Sequence, residues 1–155
     1  MSKPTERDRI QMAGKVVERR TFPAQLDGLA QAAAFIEEML GRTDCPADVG
    51  AKMMIAVDEI GSNIAHYSGC ETMEVVFERV VDPSEVRITF IDGGKMWNPL
   101  EHHDPDVSLG ADARQIGGLG ILMVKKLMDG VHYEWRDEKN VLTLCKSLSR
   151  KDEEK

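Results

Sequence analysis

Apolar residues along the chain follow two different spacings, which alternate in blocks. Residues 15–22 resemble an edge strand that Pro23 stops. Two later segments repeat apolar side chains every three or four residues, so each set would line one helix face: Leu29, Ala33, Ile36 and Leu40, then Met53, Val57, Ile60 and Ile64. Asp27 is the expected N-cap of the first helix. Ser68 and Gly69 would end the second.

The second half of the chain predicts two hairpins and one more helix. Residues 72–81 and 86–91 favour strands joined by the turn signal of residues 82–85. Residues 121–128 suit a packed helix, with Gly130 as its expected C-terminal cap. Residues 131–136 and 141–148 would form the last hairpin, across residues 137–140. This order predicts an α+β fold, a two-layer sandwich whose mostly antiparallel sheet is covered on one face by helices.

The length of 155 residues predicts one domain with a real hydrophobic core. We expect residues 1–14 to be a flexible lead, residues 15–148 to be the domain, and residues 149–155 to be a polar tail. Residues 100–116 are polar and show no periodicity. A loop of that length inside a compact domain is usually functional or disordered.

Composition and charge narrow the classes of function. The chain is 42% hydrophobic and 30% charged, with a net charge of −7 that argues against a nucleic acid as the main partner. No apolar run approaches the roughly 20 residues of a membrane span, and the N-terminus lacks the apolar core of a signal peptide. We therefore expect a cytoplasmic protein without a membrane partner. The three cysteines are far apart, which predicts separate thiols, each buried or half-buried.

Glu59 and Asn63 are the first candidate site residues. They are four residues apart in the second predicted helix, so they share a face at the edge of its buried stripe. A carboxylate there can accept a proton from a hydroxyl group, and an amide oxygen can ligate magnesium. A solvated glutamate beside an asparagine with a local hydrogen bond explains the same spacing.

Two glycine motifs carry further candidates. Asp92 ends a predicted strand before Gly93 and Gly94, where an acid can accept a hydrogen bond from an exocyclic amine and glycine lets a ring lie against backbone. A simple Gly-Gly turn is the other interpretation. Residues 117–120, Gly-Gly-Leu-Gly, open a helix whose free N–H groups can attract phosphate. A flexible hinge would look the same.

The long polar loop also holds histidines and acids. His102, His103, Asp104 and Asp106 make a metal site conceivable. Neighbours in sequence seldom converge on one ion, however, so this interpretation is the weaker one.

Taken in order, these motifs resemble the GHKL ATP-binding fold. Residues 58–65, Asp-Glu-Ile-Gly-Ser-Asn-Ile-Ala, look like its N box, and residues 92–99 resemble its G1 box. Residues 117–129 resemble the G2 box, and residues 140–146 the last strand. Within that fold, the size of the chain is similar to the anti-sigma factor serine-protein kinases, which act in partner switching. The resemblance covers residues 15–147.

The resemblance implies roles for individual residues. Glu59 would be the general base that activates a serine hydroxyl, and Asn63 would bind ATP and coordinate Mg²⁺. Asp92 would accept a hydrogen bond from the adenine amino group, and Gly94 would leave room for the ring. The backbone of Gly118, Leu119 and Gly120 would contact the phosphates. Thr143 would contact adenine through a water molecule. Residues 100–116 would form a lid over ATP.

The resemblance also implies partners and an assembly. The substrate would be an anti-anti-sigma protein of the STAS type, the competing partner a sigma factor, and the kinase a homodimer. The chain departs from the family pattern at Tyr67, where many relatives have histidine, and at Lys95 and Met96 in the G1 box. No arginine lies in the first helix, where some relatives use one to touch partners.

Four functions remain to be weighed. The first is a serine/threonine protein kinase that uses Mg-ATP, with Glu59 as base. The second is an ATP-binding sequestering module without kinase turnover, which has no need of a carboxylate at this position. A histidine kinase fragment ranks lower, because we expect no upstream helix with a phospho-acceptor histidine. A gyrase- or chaperone-like ATPase would need a further domain for which 155 residues leave no room.

Overall fold

The computed structural model of the chain describes residues 15–101 and 118–149. Over these residues the chain forms five strands, three α-helices and one short 3-10 helix. In chain order the elements are β1 (Lys15–Pro23), α1 (Leu26–Gly41), α2 (Ala47–Tyr67), β2 (Thr72–Val80), β3 (Glu85–Asp92), the 3-10 helix (Pro99–Glu101), α3 (Gly118–Leu127), β4 (Gly130–Arg136) and β5 (Lys139–Ser147).

The five strands form one sheet in the order β1-β2-β3-β5-β4, and every pair of neighbours is antiparallel. Successive residues of a strand point to opposite faces, and the apolar residues of β2, β3 and β5 alternate accordingly. One face therefore presents a continuous apolar surface, and the helices pack there. The predicted two-layer α+β fold is confirmed.

The core lies between the sheet and the helices. Strand residues Phe77, Ile88 and Leu144 have no exposed surface, and Phe90 is 1% exposed. Helix side chains fill the space above them, namely Ile36 and Met39 from α1, Met53 and Val57 from α2, and Val124 from α3. Three of the four apolar positions predicted for α2 are buried, and Ile64 packs at the edge of this core.

Two predicted caps are wrong. Helix α1 begins at Leu26 with Gln25 as N-cap, so Asp27 lies in the first turn. There its negative charge interacts favourably with the positive end of the helix dipole. Gly130 does not cap α3, because the N–H of Asp129 already bonds the Cys145 carbonyl at 2.9 Å and Gly130 starts β4. Gly69 does end α2 as predicted, with a φ of 70° that favours glycine.

The last hairpin is tighter than the sequence predicts. Its turn consists of Asp137 and Glu138 alone, with φ values of 54° and 60°. Two left-handed residues are the geometry of a type I′ turn, which suits the twist of antiparallel strands. Arg136 pairs with Lys139, so Asn140 is a strand residue opposite Asp92 of β3 and not part of the turn.

Several predictions fall outside the described residues. These are the lead of residues 1–14, nearly all of the predicted lid, the tail beyond residue 149, and the loop that holds His102, His103, Asp104 and Asp106. Leu100 belongs to the 3-10 helix. The three cysteines are unpaired and half-buried, as predicted. Within residues 15–101 and 118–149, no helix has the length and apolar character that a membrane crossing requires.

Candidate functional site

Helix α2 carries Glu59 and Asn63 one turn apart, next to its buried stripe. Asn63 is 7% exposed, and its Nδ2 is a buried donor with no hydrogen-bond partner among the described residues. A buried amide left unpaired costs free energy of about 1–3 kcal/mol. The Asn63 side chain therefore has unused capacity to bind a ligand in the cavity that it lines.

The Glu59 carboxylate lies against the start of α3. A Cβ atom on Gly120 would sit 2.0 Å from Glu59 Oε1, so a side chain there would force the carboxylate to move. Burial raises the pKa of Glu59 above its ordinary value. A carboxylate with a raised pKa is a better proton acceptor than a solvated one.

Helix α3 begins at Gly118, so Gly118, Leu119 and Gly120 form its first turn, as the glycine motif predicts. The first N–H groups of a helix have no partner within the helix and point out of its N-terminus. Because Glu59 touches Gly120, this turn and the Glu59–Asn63 face of α2 adjoin each other. Two of the three sequence motifs therefore meet at one place.

Asp92 is the last residue of β3 and is 7% exposed. Its Oδ1 accepts hydrogen bonds from the Gly94 backbone N–H at 3.0 Å and from Asn140 Nδ2 at 3.1 Å. The structure also shows a packing reason for glycine at position 94. A Cβ atom there would lie 2.4 Å from the Ser68 carbonyl oxygen, so glycine lets this loop approach the end of α2.

A cavity of about 310 Å³ opens between α2 and the ends of β3, β4 and β5. Asn63 and Asp92 both line it, which joins the third motif to the other two. Its walls are mostly apolar or aromatic, including Ile60, Ile64, Tyr67, Phe90, Met96, Trp97, Pro99, Tyr133 and Leu142. An apolar space with three buried polar side chains at its wall, Asn63, Asp92 and Asn140, suits a heteroaromatic ring. Tyr67 and Met96, which depart from the family pattern, are 56% exposed each and lie at its rim.

Thr143 is not part of this cavity. It is a β5 residue of the opposite parity to Leu142 and Leu144, so its side chain points to the face of the sheet away from the helices. There its hydroxyl lies 3.0 Å from that of Thr89. The structure therefore does not bring Thr143 together with the predicted site residues that line this cavity.

Asn140 and Tyr133 are the site residues that the sequence did not reveal. Asn140 shares the helix-facing side of β5 with Leu142 and lines the cavity beside Asp92. The Tyr133 hydroxyl donates to Asn140 Oδ1 at 2.5 Å. The sequence contained a signal for Asn140. It lies two positions before Leu142 and four before Leu144, so on a continuous strand its side chain faces the same side of the sheet as these core residues. Its expected place in a turn concealed this.

The protein groups near Asn63 would suit a metal ion that arrives with its own ligands. Over the described parts of the chain, no three His, Cys, Asp or Glu side chains converge on one point. A hard ion such as Mg²⁺ commonly takes only one or two protein oxygens and completes its shell with phosphates and water. The side-chain oxygen of Asn63 could serve as such a ligand, while its unpartnered Nδ2 could donate to a phosphate oxygen.

Together, the fold and the site define a small α+β nucleotide-binding domain. The sequence matches the histidine kinase-like ATPase domain family over residues 22–146. The chain therefore belongs to that family, and the resemblance to the GHKL ATP-binding fold is confirmed. An ATPase domain implies that ATP is its ligand.

A solved structure supports the fold. The RsbU and RsbW domains of Rv1364c from Mycobacterium tuberculosis superpose with a TM-score of 0.61 at 18% sequence identity. The match covers 86% of this chain and 33% of that one, so this chain spans about a third of the length of the solved chain. No curated protein matches the chain in sequence.

Proposed function

We propose that the chain is an anti-sigma-type serine/threonine protein kinase that uses Mg-ATP. The observation that carries this proposal is the position of Glu59. Its carboxylate is partly buried, has a raised pKa, and lies one turn from Asn63 and against the first turn of α3. Burying a carboxylate costs free energy, and a module that only binds nucleotide does not require one there.

Each site residue then has a role in binding or proton transfer. The adenine ring enters the apolar cavity, and its amino group donates a hydrogen bond to Asp92. The triphosphate extends toward the backbone N–H groups of Gly118, Leu119 and Gly120 at the start of α3. Asn63 holds Mg²⁺, which neutralises phosphate charge when bound. Glu59 accepts the proton of the substrate hydroxyl.

The partners follow from the family resemblance and from the similarity to a structure that includes an RsbW domain. The phosphorylated substrate is a serine of an anti-anti-sigma protein of the STAS type, and the competing partner is a sigma factor. The chain acts as a homodimer in the cytoplasm, where ATP is available. It contacts neither nucleic acid nor membrane directly, in keeping with its net charge of −7.

The contact between Glu59 and Gly120 also favours a second candidate, an ATP-dependent sequestering module without turnover. The carboxylate is engaged with the helix start, and catalysis would require it to face a substrate hydroxyl. In this candidate the nucleotide only selects the conformation that binds a partner. Both candidates predict ATP binding, and only phosphate transfer separates them.

The test combines binding and transfer on the same samples. The chain is incubated with Mg-ATP and an anti-anti-sigma protein of the STAS type from the same genome, and phosphoserine is measured by mass spectrometry. Glu59→Gln keeps the shape of the side chain and should retain ATP affinity while transfer falls by ~10² or more. Asn63→Ala should lose magnesium-dependent ATP affinity.

Three results decide between the candidates. Phosphoserine that depends on Glu59 supports the kinase. ATP binding without any phosphoserine leaves the sequestering module. Equal transfer by Glu59→Gln and the unchanged protein would remove Glu59 from the role of base.

A further inference from the structure

Asn140 uses its whole hydrogen-bonding capacity within the protein. Its Nδ2 donates to Asp92 Oδ1 at 3.1 Å and to the Lys95 carbonyl at 2.9 Å. Its Oδ1 accepts from the Trp97 backbone N–H at 3.0 Å and from the Tyr133 hydroxyl at 2.5 Å. A primary amide has two N–H donors and two acceptor lone pairs, so none remains for a ligand.

The orientation of this amide is fixed by the chemistry of its partners. The Trp97 N–H can only donate, while the Lys95 carbonyl and an ionised Asp92 can only accept. Rotating the amide by 180° would set donor against donor on one side and oxygen against oxygen on the other. Because Asn140 is 8% exposed, water cannot readily relieve such clashes.

The hydrogen bonds of Asn140 connect the three strands that line the cavity. Asn140 lies opposite Asp92 in the ladder between β3 and β5, and Tyr133 reaches it from β4. The Lys95 and Trp97 contacts attach the loop after β3 to the same amide. Both hydrogen bonds to Asp92 end on Oδ1, from Gly94 and Asn140, so neither of these donors occupies Oδ2.

We propose that Asn140, oriented by the Tyr133 hydroxyl, is a positioning residue that aims Asp92 at the 6-amino group of the purine. The inference rests on the proposed function, since it takes ATP as the ligand. Asn140 itself does not touch the nucleotide. It fixes Oδ1 of Asp92 and the loop that covers the ring, and this leaves Oδ2 to accept from the exocyclic amine. Selectivity for adenine thus depends on a residue one step removed from the ligand.

The experiment compares ATP with purine riboside triphosphate, which lacks the 6-amino group, by calorimetric titration in Mg²⁺. The unchanged protein should bind ATP about tenfold more tightly or better, which corresponds to one buried hydrogen bond. Asn140→Asp has the same shape but sets a second carboxylate oxygen against Asp92 and the Lys95 carbonyl. Its preference for ATP should fall to less than about twofold.

Tyr133→Phe removes one donor and keeps the ring, so it serves as the milder variant and decides the matter if Asn140→Asp does not fold. Its preference should fall about threefold relative to the unchanged protein. Thr89→Val is the matched control, because it deletes a side-chain hydrogen bond of the same sheet on the opposite face. It should leave the preference unchanged.

The preference, as a ratio of two affinities, separates positioning from general weakening. A purely structural role would lower both affinities in parallel and keep the ratio, and that outcome in both variants would overturn the inference. Equal affinities in the unchanged protein would overturn it as well, while leaving ATP binding intact. No binding of either nucleotide by the unchanged protein would instead reject the proposed function on which the inference rests.

Discussion

At the scale of single residues, Glu59 shows how burial sets chemistry. Desolvation disfavours the charged carboxylate, so its pKa lies above the ordinary value of 4.5. A general base works only when it is deprotonated. Phosphoryl transfer should therefore fall as the pH drops through this raised pKa, with a midpoint higher than an exposed glutamate would give. The measurement is the initial rate of phosphoserine formation between pH 4.5 and 8 at saturating Mg-ATP.

The control for this prediction is Glu59→Gln, whose residual transfer should lose the acidic limb that belongs to the carboxylate. The contribution of Glu59 to the free energy of unfolding should change in the opposite direction, rising as the pH falls. A raised carboxyl pKa means that the folded state binds the proton more readily than the unfolded state, so protonation of Glu59 favours folding. A rate that stays constant down to pH 4.5 would exclude Glu59 as the base.

Residue-scale prediction from sequence succeeded where spacing fixes geometry and failed where strand parity mattered. Glu59 and Asn63 share a face because helical period leaves no other arrangement. Thr143 and Asn140 differ by three positions on β5, so they lie on opposite faces, and a shift in the assumed start of the strand changes which one reaches the cavity. The two-residue turn of Asp137 and Glu138 decides this start. Neither residue is a glycine or an asparagine, the usual signals of such a turn.

At the scale of elements, two glycines of α2 make a matched pair. A Cβ atom on Gly61 would lie 2.2 Å from Leu29 Cδ1 of α1, whereas one on Gly50 would lie no closer than 3.8 Å to Cys45 Sγ. Gly61→Ala should destabilise the fold by about 1–3 kcal/mol, because Leu29 has to move within a packed contact. Gly50→Ala should stabilise it by about 0.5–1 kcal/mol, because alanine suits a helix better than glycine.

Urea unfolding without nucleotide measures both changes, so that effects on ligand binding do not enter. The pair isolates the α1–α2 contact, since both substitutions add one methyl group to the same helix. Equal free energies of unfolding for the two variants would show that the helices do not approach as closely as Gly61 and Leu29 indicate.

The order and type of the elements followed from the hydrophobic pattern because each spacing fits only one kind of regular structure. The predicted strands agree with the observed ones most closely in β1, β2 and β4, whose bounds each differ by one residue. Helix ends were harder. Helix α2 begins at Ala47 with Pro46 as its N-cap, six residues before the first position of the predicted apolar stripe, Met53. Gly130 was predicted to cap α3, but the backbone N–H of Asp129 donates to the Cys145 carbonyl of β5, so the chain joins the sheet before Gly130.

At the scale of the whole molecule, the site joins elements that are distant in sequence. The cavity is walled by α2, β3, β4 and β5, and Glu59 connects its margin to α3. None of these surfaces exists in the unfolded chain, so a ligand that occupies them binds the folded state alone. Mg-ATP should therefore raise the free energy of unfolding of the entire domain, by about 2.7 kcal/mol at a concentration 100 times Kd.

For a chain of this length, each kcal/mol moves the melting temperature by roughly 2–4 °C, so Mg-ATP should raise it by roughly 5–10 °C in calorimetry. Mg²⁺ alone should give almost no shift, because the described residues offer it little besides the side-chain oxygen of Asn63. Asn63→Ala should remove most of the effect of Mg-ATP, and excess chelator should do the same with the unchanged chain. If Mg-ATP gave the same shift with Asn63→Ala as with the unchanged chain, the side-chain oxygen of Asn63 would not hold the metal.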